Sequence, residues 1–137
     1  MLFSKGKKYN FKHLERGNMG YDIQLFRSET KEKEQSVNDP NFFENESNFE
    51  PFTNQQFKEL KDRLIQYDFE LNNESDNGIE FTHEEFSIHV LLTKRCLYFS
   101  SGFDEDSIFE TGMTASEFTD SGYYAKYDPQ NGGWESF

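Results

Sequence analysis

A lone cysteine, Cys96, leaves the chain without a partner for an intrachain disulfide, which agrees with a reducing compartment. Long apolar runs are missing too. Stretches such as Val90-Leu91-Leu92 stop far short of the ~20 residues of a bilayer-spanning helix. Residues 1–11 carry charge but no apolar stretch of the kind a secretion signal needs. The expectation is a soluble, cytoplasmic protein with no membrane role. The phosphate-cradling glycine motifs, the Gly-x-Ser-x-Gly elbow and paired Cys-x-x-Cys ligands are likewise absent.

Basic residues are scarce. Fourteen Lys and Arg face 26 Asp and Glu, for a net charge of -12 over 137 residues. The balance is uneven. Residues 1–18 hold five basic residues and one acid, a net of +4, so residues 19–137 carry nine basic residues against 25 acids, a net of -16. A field of that sign repels phosphate backbones and anionic membranes, and it draws in basic proteins. Nucleic acid is therefore excluded as a partner of the main body, and a basic protein is favoured.

What the chain does have is rings. Sixteen Phe, seven Tyr and one Trp make up 18% of it, while all hydrophobic residues together reach 34%. Each buried ring removes a large area from water, so few residues can build the core. Tyr21, Ile23 and Leu25 alternate with Asp22, Gln24 and Phe26, marking a first strand. Residues 28–52 read as a long acidic loop, with a helical turn at 30–36 and pinned by Phe42, Phe43, Phe49 and Phe52. Thr53 and Gln56 form a capping box ahead of Phe57, Leu60, Leu64 and Tyr67, which places the principal helix at 54–67.

Short strands follow. Phe69 and Leu71 precede a turn cluster at 72–78, Ile79 and Phe81 resume the alternation, and Phe86, Ile88, Val90 and Leu92 carry it furthest. Leu97 and Phe99 mark the next strand, and such close neighbours pair antiparallel. A second capping-box pattern at 114–117 places a short helix near 114–120. Residues 123–127 and 133–137 read as a hairpin closed by Asp128-Pro129 and Asn131-Gly132-Gly133. The expected fold is α+β: an antiparallel sheet of about five or six strands with the principal helix packed on one face. Residues 1–18 form a basic, mobile extension, and 19–137 one domain.

Several constellations invite chemistry. Asn73, Ser75, Asn77, Gly78 and Glu84 fall at the ligand spacing of a calcium loop. An uncharged first ligand and a following strand make a hairpin turn the better reading. His83, His89 and Cys96 lack zinc-site spacing. Cys96 beside His89 lacks a third group, so a buried, inert thiol is expected. Carboxylate pairs such as Asp104 with Asp106 and Glu84 with Glu85 arise by chance among 26 acids. No cofactor or metal is expected. Among the C-terminal rings, Tyr124 and Trp134 suit the core, while Tyr123 and Tyr127 suit a partner surface.

Met19-Gly20-Tyr21-Asp22-Ile23-Gln24-Leu25 resembles the opening of many small bacterial proteins that begin with Met, a small residue, then Tyr-Asp-Ile or Tyr-Asp-Leu. Some of these resemble immunity proteins of polymorphic-toxin systems. The resemblance implies Met19 as the ancestral start and a small acidic inhibitor that neutralises a basic toxin. It brings no site motif, so no residue role comes with it. The combined expectation is a non-enzymatic interaction module. Glu44, Glu46 and Glu50 of the acidic loop, with Asp104, Glu105 and Asp106, would meet Lys and Arg of a partner, and Tyr123 and Tyr127 would anchor it. The rival reading is a small enzyme or glycan-binding domain built on the aromatic C-terminal hairpin.

Overall fold

Residues 21–27 place Ile23 and Leu25 on one side and Asp22 and Phe26 on the other, so this strand must be covered on both faces. In the computed structural model all four are buried. The structure describes residues 21–135, together with the backbone of a two-by-two antiparallel ladder, Ser4–Lys5 with Lys7–Lys8. The basic extension expected at 1–18 otherwise lies outside the described residues.

The first strand, β1 (Tyr21–Arg27), runs through the middle of a seven-stranded antiparallel sheet. The others are β2 (Phe69–Ser75), β3 (Gly78–His83), β4 (Ile88–Leu92), β5 (Leu97–Ser101), β6 (Tyr124–Asp128) and β7 (Gly133–Trp134). Their order is β2-β3-β4-β5-β1-β6-β7. Among the described residues three helices accompany them: α1 (Ser28–Val37), α2 (Asn54–Gln66) and α3 (Glu105–Glu117). The α+β class agrees with the sequence reading, and the strand count is higher than the five or six expected.

Strands β2 to β5 form a meander that ends beside β1, pairing Tyr21 with Ser101 and Leu25 with Leu97. Because β6 pairs antiparallel with the other edge of β1, β5 and β6 are parallel to each other. Their link, α3, therefore crosses over β1.

Two aromatic-rich cores lie on opposite faces of the sheet. The larger joins Ile23, Leu25, Val90 and Phe99 to Leu60 and Leu64 of α2 and to Ala115 of α3. The smaller joins Phe26, Leu91, Cys96 and Tyr98 to Phe42 and Phe49. Edge-on rings fix it: Phe26 and Phe49 lie 4.8 Å apart between centroids, and Tyr127 and Trp134 4.9 Å. The indole N–H of Trp134 donates to Glu34 at 2.9 Å, tying the C-terminal hairpin to α1.

Helix α2 matches its sequence signature. Thr53 accepts from the Gln56 backbone N–H at 3.0 Å, and the Gln56 side chain accepts from that of Thr53 at 2.9 Å. Residues 28–52, expected as a long loop with one helical turn, instead hold the ten-residue α1 and two 3-10 turns, Phe42–Glu44 and Glu46–Asn48. Helix α1 buries only Thr30 and has no apolar stripe to betray it; its Glu, Lys and Gln content favours the helix, and Asn38 ends it in the left-handed region at φ 54°.

The turn cluster at 72–78 is corrected as well. Residues 72–75 continue β2 past a bulge between Leu71 and Asn73, and Ser75 pairs with Gly78, leaving a two-residue turn. Polar residues can occupy this strand because its outer edge faces water. The hairpin here is the one preferred over a calcium loop.

Candidate interaction surface

Helix α3 is the largest departure from the sequence reading. It begins at Glu105, nine residues before the expected start at 114, and spans 13 residues. Asp104 caps it by accepting from the Ser107 backbone N–H at 3.0 Å, and Glu105 and Asp106 in its first turn complement the positive helix end. Thr114, expected as an N-cap, lies buried in the helix interior.

The pattern of α3 is inverted. Its sheet-facing side is Ser107, Thr111, Thr114 and Ala115. Its outer side carries Phe109, 67% exposed, and Met113, 44% exposed, with Phe103 just ahead of the cap at 69%. Phe109 and Met113 are one helical step apart and share a face. The buried hydroxyls are satisfied locally: Thr111 donates to the Ser107 carbonyl at 2.8 Å, and Ser107 accepts from the Ser87 backbone N–H at 2.9 Å.

Beside this ridge runs a groove of about 370 Å³ between α3, the end of α2 and the β3–β4 connection. Asp68, Glu85, Glu110 and Glu117 line it together with Tyr67 and His83, and among the described residues no lysine or arginine lines it; Arg63 lies behind it, donating to the Tyr67 hydroxyl at 3.5 Å and the Glu117 carbonyl at 3.3 Å. The Tyr67 hydroxyl donates to Glu117 at 2.6 Å; that bond, with burial, raises the phenol above its ordinary range. His83 has its Nδ1 committed to the turn, accepting from the Glu85 and Phe86 backbone N–H groups at 3.0 and 3.2 Å. The groove thus presents carboxylates from three separate elements to one volume.

The residues expected to bind a partner are dispersed. Glu44 and Glu46 are exposed near the smaller core, and Glu46 accepts from the Tyr98 hydroxyl at 3.5 Å. Glu50 pairs with Lys33 at 3.7 Å. Asp104, Glu105 and Asp106 sit at the head of α3, on the opposite face of the sheet. Tyr123 is 59% exposed. Tyr127 is half-buried, its ring 4.4 Å from that of Phe43. None of these eight residues lines the groove; Asp104, Glu105 and Asp106 lie beside Phe103 at the head of α3, at one end of the ridge. Sequence reasoning missed Phe103, Phe109, Met113 and the groove residues as a group. The available signal was the run of small hydroxylated residues at helical spacing through 107–115.

Scans of protein-family models, of curated proteins and of solved structures each found no match to this chain.

Cys96 is fully buried, and burial pushes its thiol well above the ordinary range, away from the nucleophilic thiolate. His89 is exposed on β4. Among the described residues no group of three His, Cys, Asp or Glu side chains is placed to hold a metal ion, and no helix is long and apolar enough to cross a membrane.

A second groove, of about 580 Å³, lies between α1 and β6. The buried Lys126 at its floor donates to Glu135 at 3.3 Å, Ser116 Oγ at 2.9 Å and the Gly112 carbonyl at 3.2 Å. Those three bonds use all the ammonium protons, so this lysine fastens α3 to β6.

Proposed function

We propose that this protein is a non-enzymatic interaction module that binds a basic protein partner, in the manner of an immunity-type inhibitor. The observation that carries the reading is the net charge of -16 over residues 19–137, with carboxylates from the turn after α2, from α3 and from the β3–β4 connection gathered in one groove that no basic side chain lines among the described residues. Charge of this kind raises the encounter rate and rejects acidic competitors. The anchors that a stable complex also needs are the exposed rings of the same region.

The rival reading, a small enzyme or glycan-binding domain on the C-terminal hairpin, needs bare ring faces. Tyr123 is exposed, but Tyr124 is buried, and the rings of Tyr127 and Trp134 pack against Phe43 and against each other, leaving one bare ring rather than a stacking platform. That packing favours the interaction module.

Affinity capture from a native lysate tests the proposal. A basic protein should be retained at low salt and released as the Debye length falls from about 30 Å at ~0.01 M to about 3 Å at ~1 M. Capture of no basic protein, or retention indifferent to salt, would count against it. A toxin gene beside the coding sequence would support the inhibitor form.

A further inference from the structure

The outer face of α3 raises a narrower question. A helix that buries Ser107, Thr111 and Thr114 while leaving Phe109 and Met113 exposed has its apolar side unpartnered among the described residues. Burying a Phe or Met side chain gains free energy, so a helix packed only to complete its own fold turns such residues inward. Here small hydroxylated residues already fill the contact with the sheet, and the large apolar ones point away. Acids frame them: Glu105 and Asp106 toward the cap, and Glu110 and Glu117 on the groove side.

From this arrangement we infer that the α3 ridge and the adjoining acidic groove form one docking surface for a cationic amphipathic segment of a partner protein. Apolar side chains of the segment lie on Phe109 and Met113, and a Lys or Arg enters the groove between Glu85 and Glu110. Charge complementarity selects this occupant. An apolar partner without basic residues would strand the groove carboxylates against an uncharged surface, and an acidic one would be repelled. The segment needs no more than four helical turns to cover α3, whose 13 residues span about 20 Å. The inference rests on the proposed interaction function and adds where and what the protein binds.

The probe is a labelled synthetic peptide of about four turns with Leu on one helical face and Lys on the rest, titrated into the purified full chain and followed by anisotropy. Phe109 and Met113 are exposed, so F109S/M113S should keep the native far-UV spectrum, which is checked first. Affinity should fall by about tenfold or more in F109S/M113S and likewise in E85Q/E110Q. It should hold in E44Q/E46Q, which removes equal charge from the other side of the sheet. A peptide with every Leu changed to Ser should bind at least about tenfold more weakly.

Three results overturn the inference: no binding of the Lys/Leu peptide, equal weakening in E44Q/E46Q and E85Q/E110Q, or equal affinity for the Ser peptide. A neutral-pH dimer that F109S/M113S abolishes also overturns it, by naming a second copy of the chain as the occupant. Lysate capture of a basic partner is a separate measurement, so loss of this surface leaves the broader reading open to its own test.

Discussion

Lys126 offers the sharpest test of how this fold is held. Its side chain is 8% exposed and that of Glu135 26%. Replacing it as Lys126→Met keeps most of the buried stem and deletes the ammonium. Removing one partner of a fully buried ion pair costs about 3–5 kcal/mol. Two features lower that figure here. Glu135 reaches water along a quarter of its surface, and the Ser116 hydroxyl, 3.0 Å from each carboxylate oxygen, still donates one bond. The Gly112 carbonyl loses its side-chain donor, which adds about 1 kcal/mol. The expected loss is about 2–3 kcal/mol.

Urea unfolding followed by the single tryptophan reads this directly, because Trp134 adjoins Glu135 on the strand that Lys126 secures. With a slope of about 1–3 kcal/mol per molar urea, the midpoint should fall by about 0.7–3 M with the slope unchanged. The double variant Lys126→Met with Glu135→Gln removes both charges and should recover at least about 1 kcal/mol of the loss. A single variant within about 0.5 kcal/mol of the parent, or a double variant no better than the single, would refute the assignment of Lys126 as the fastening between α3 and β6.

Three further outcomes follow from the same geometry. Gly78 has φ +143°, and a Cβ there would meet the Leu92 carbonyl oxygen at 2.6 Å, so Gly78→Ala should cost more than about 1 kcal/mol in the same assay. Tyr21 donates to Asp128 at 2.8 Å, and burial followed by that bond pushes its phenol up to about 12. The stability this gives is full below the unfolded value near 10 and is lost as pH rises toward 12; Tyr21→Phe should flatten that alkaline fall, measured by thermal melts across the range. Asp104 is held below its ordinary carboxylate value by its bonds to Ser107. Its capping contribution is therefore present above about pH 4 and is lost below it. The urea midpoints of the parent and of Asp104→Ala should differ at neutral pH and converge in acid.

The parts of the fold legible in the sequence are those where periodicity and burial agree. Helix α2 has its stripe and its capping box in register, so its bounds were readable to within a residue. Strands β4 and β5 alternate because each has a thick core on at least one face. Helix α1 was hidden because a helix that buries one threonine carries no stripe. The polar end of β2 was hidden because an edge strand with both faces in water reads as a turn. The acidic groove was illegible for another reason. Asp68, Glu85, Glu110 and Glu117 are unremarkable among 26 acids, and only the packing of α3 across β1 brings them together.

The inverted face of α3 also bears on self-association. A ridge of Phe109, Met113 and Phe103 is a self-association hazard. At neutral pH the hazard is opposed by like charge, since two copies approaching through this face bring the same acids together. The charge that would select a basic partner would thus also oppose contact of the ridge with its own kind. Lowering the pH toward the sequence isoelectric point of about 4.6 removes that opposition. Sedimentation at low salt should therefore show a monomer at pH 7 and association as the pH falls toward 4. All acidic proteins lose repulsion in this range, so the decisive comparison is F109S/M113S, which keeps every charge. If the ridge is the contact, the variant stays monomeric to a lower pH than the parent. Association of both chains at the same pH would place the contact elsewhere and remove the ridge from the account.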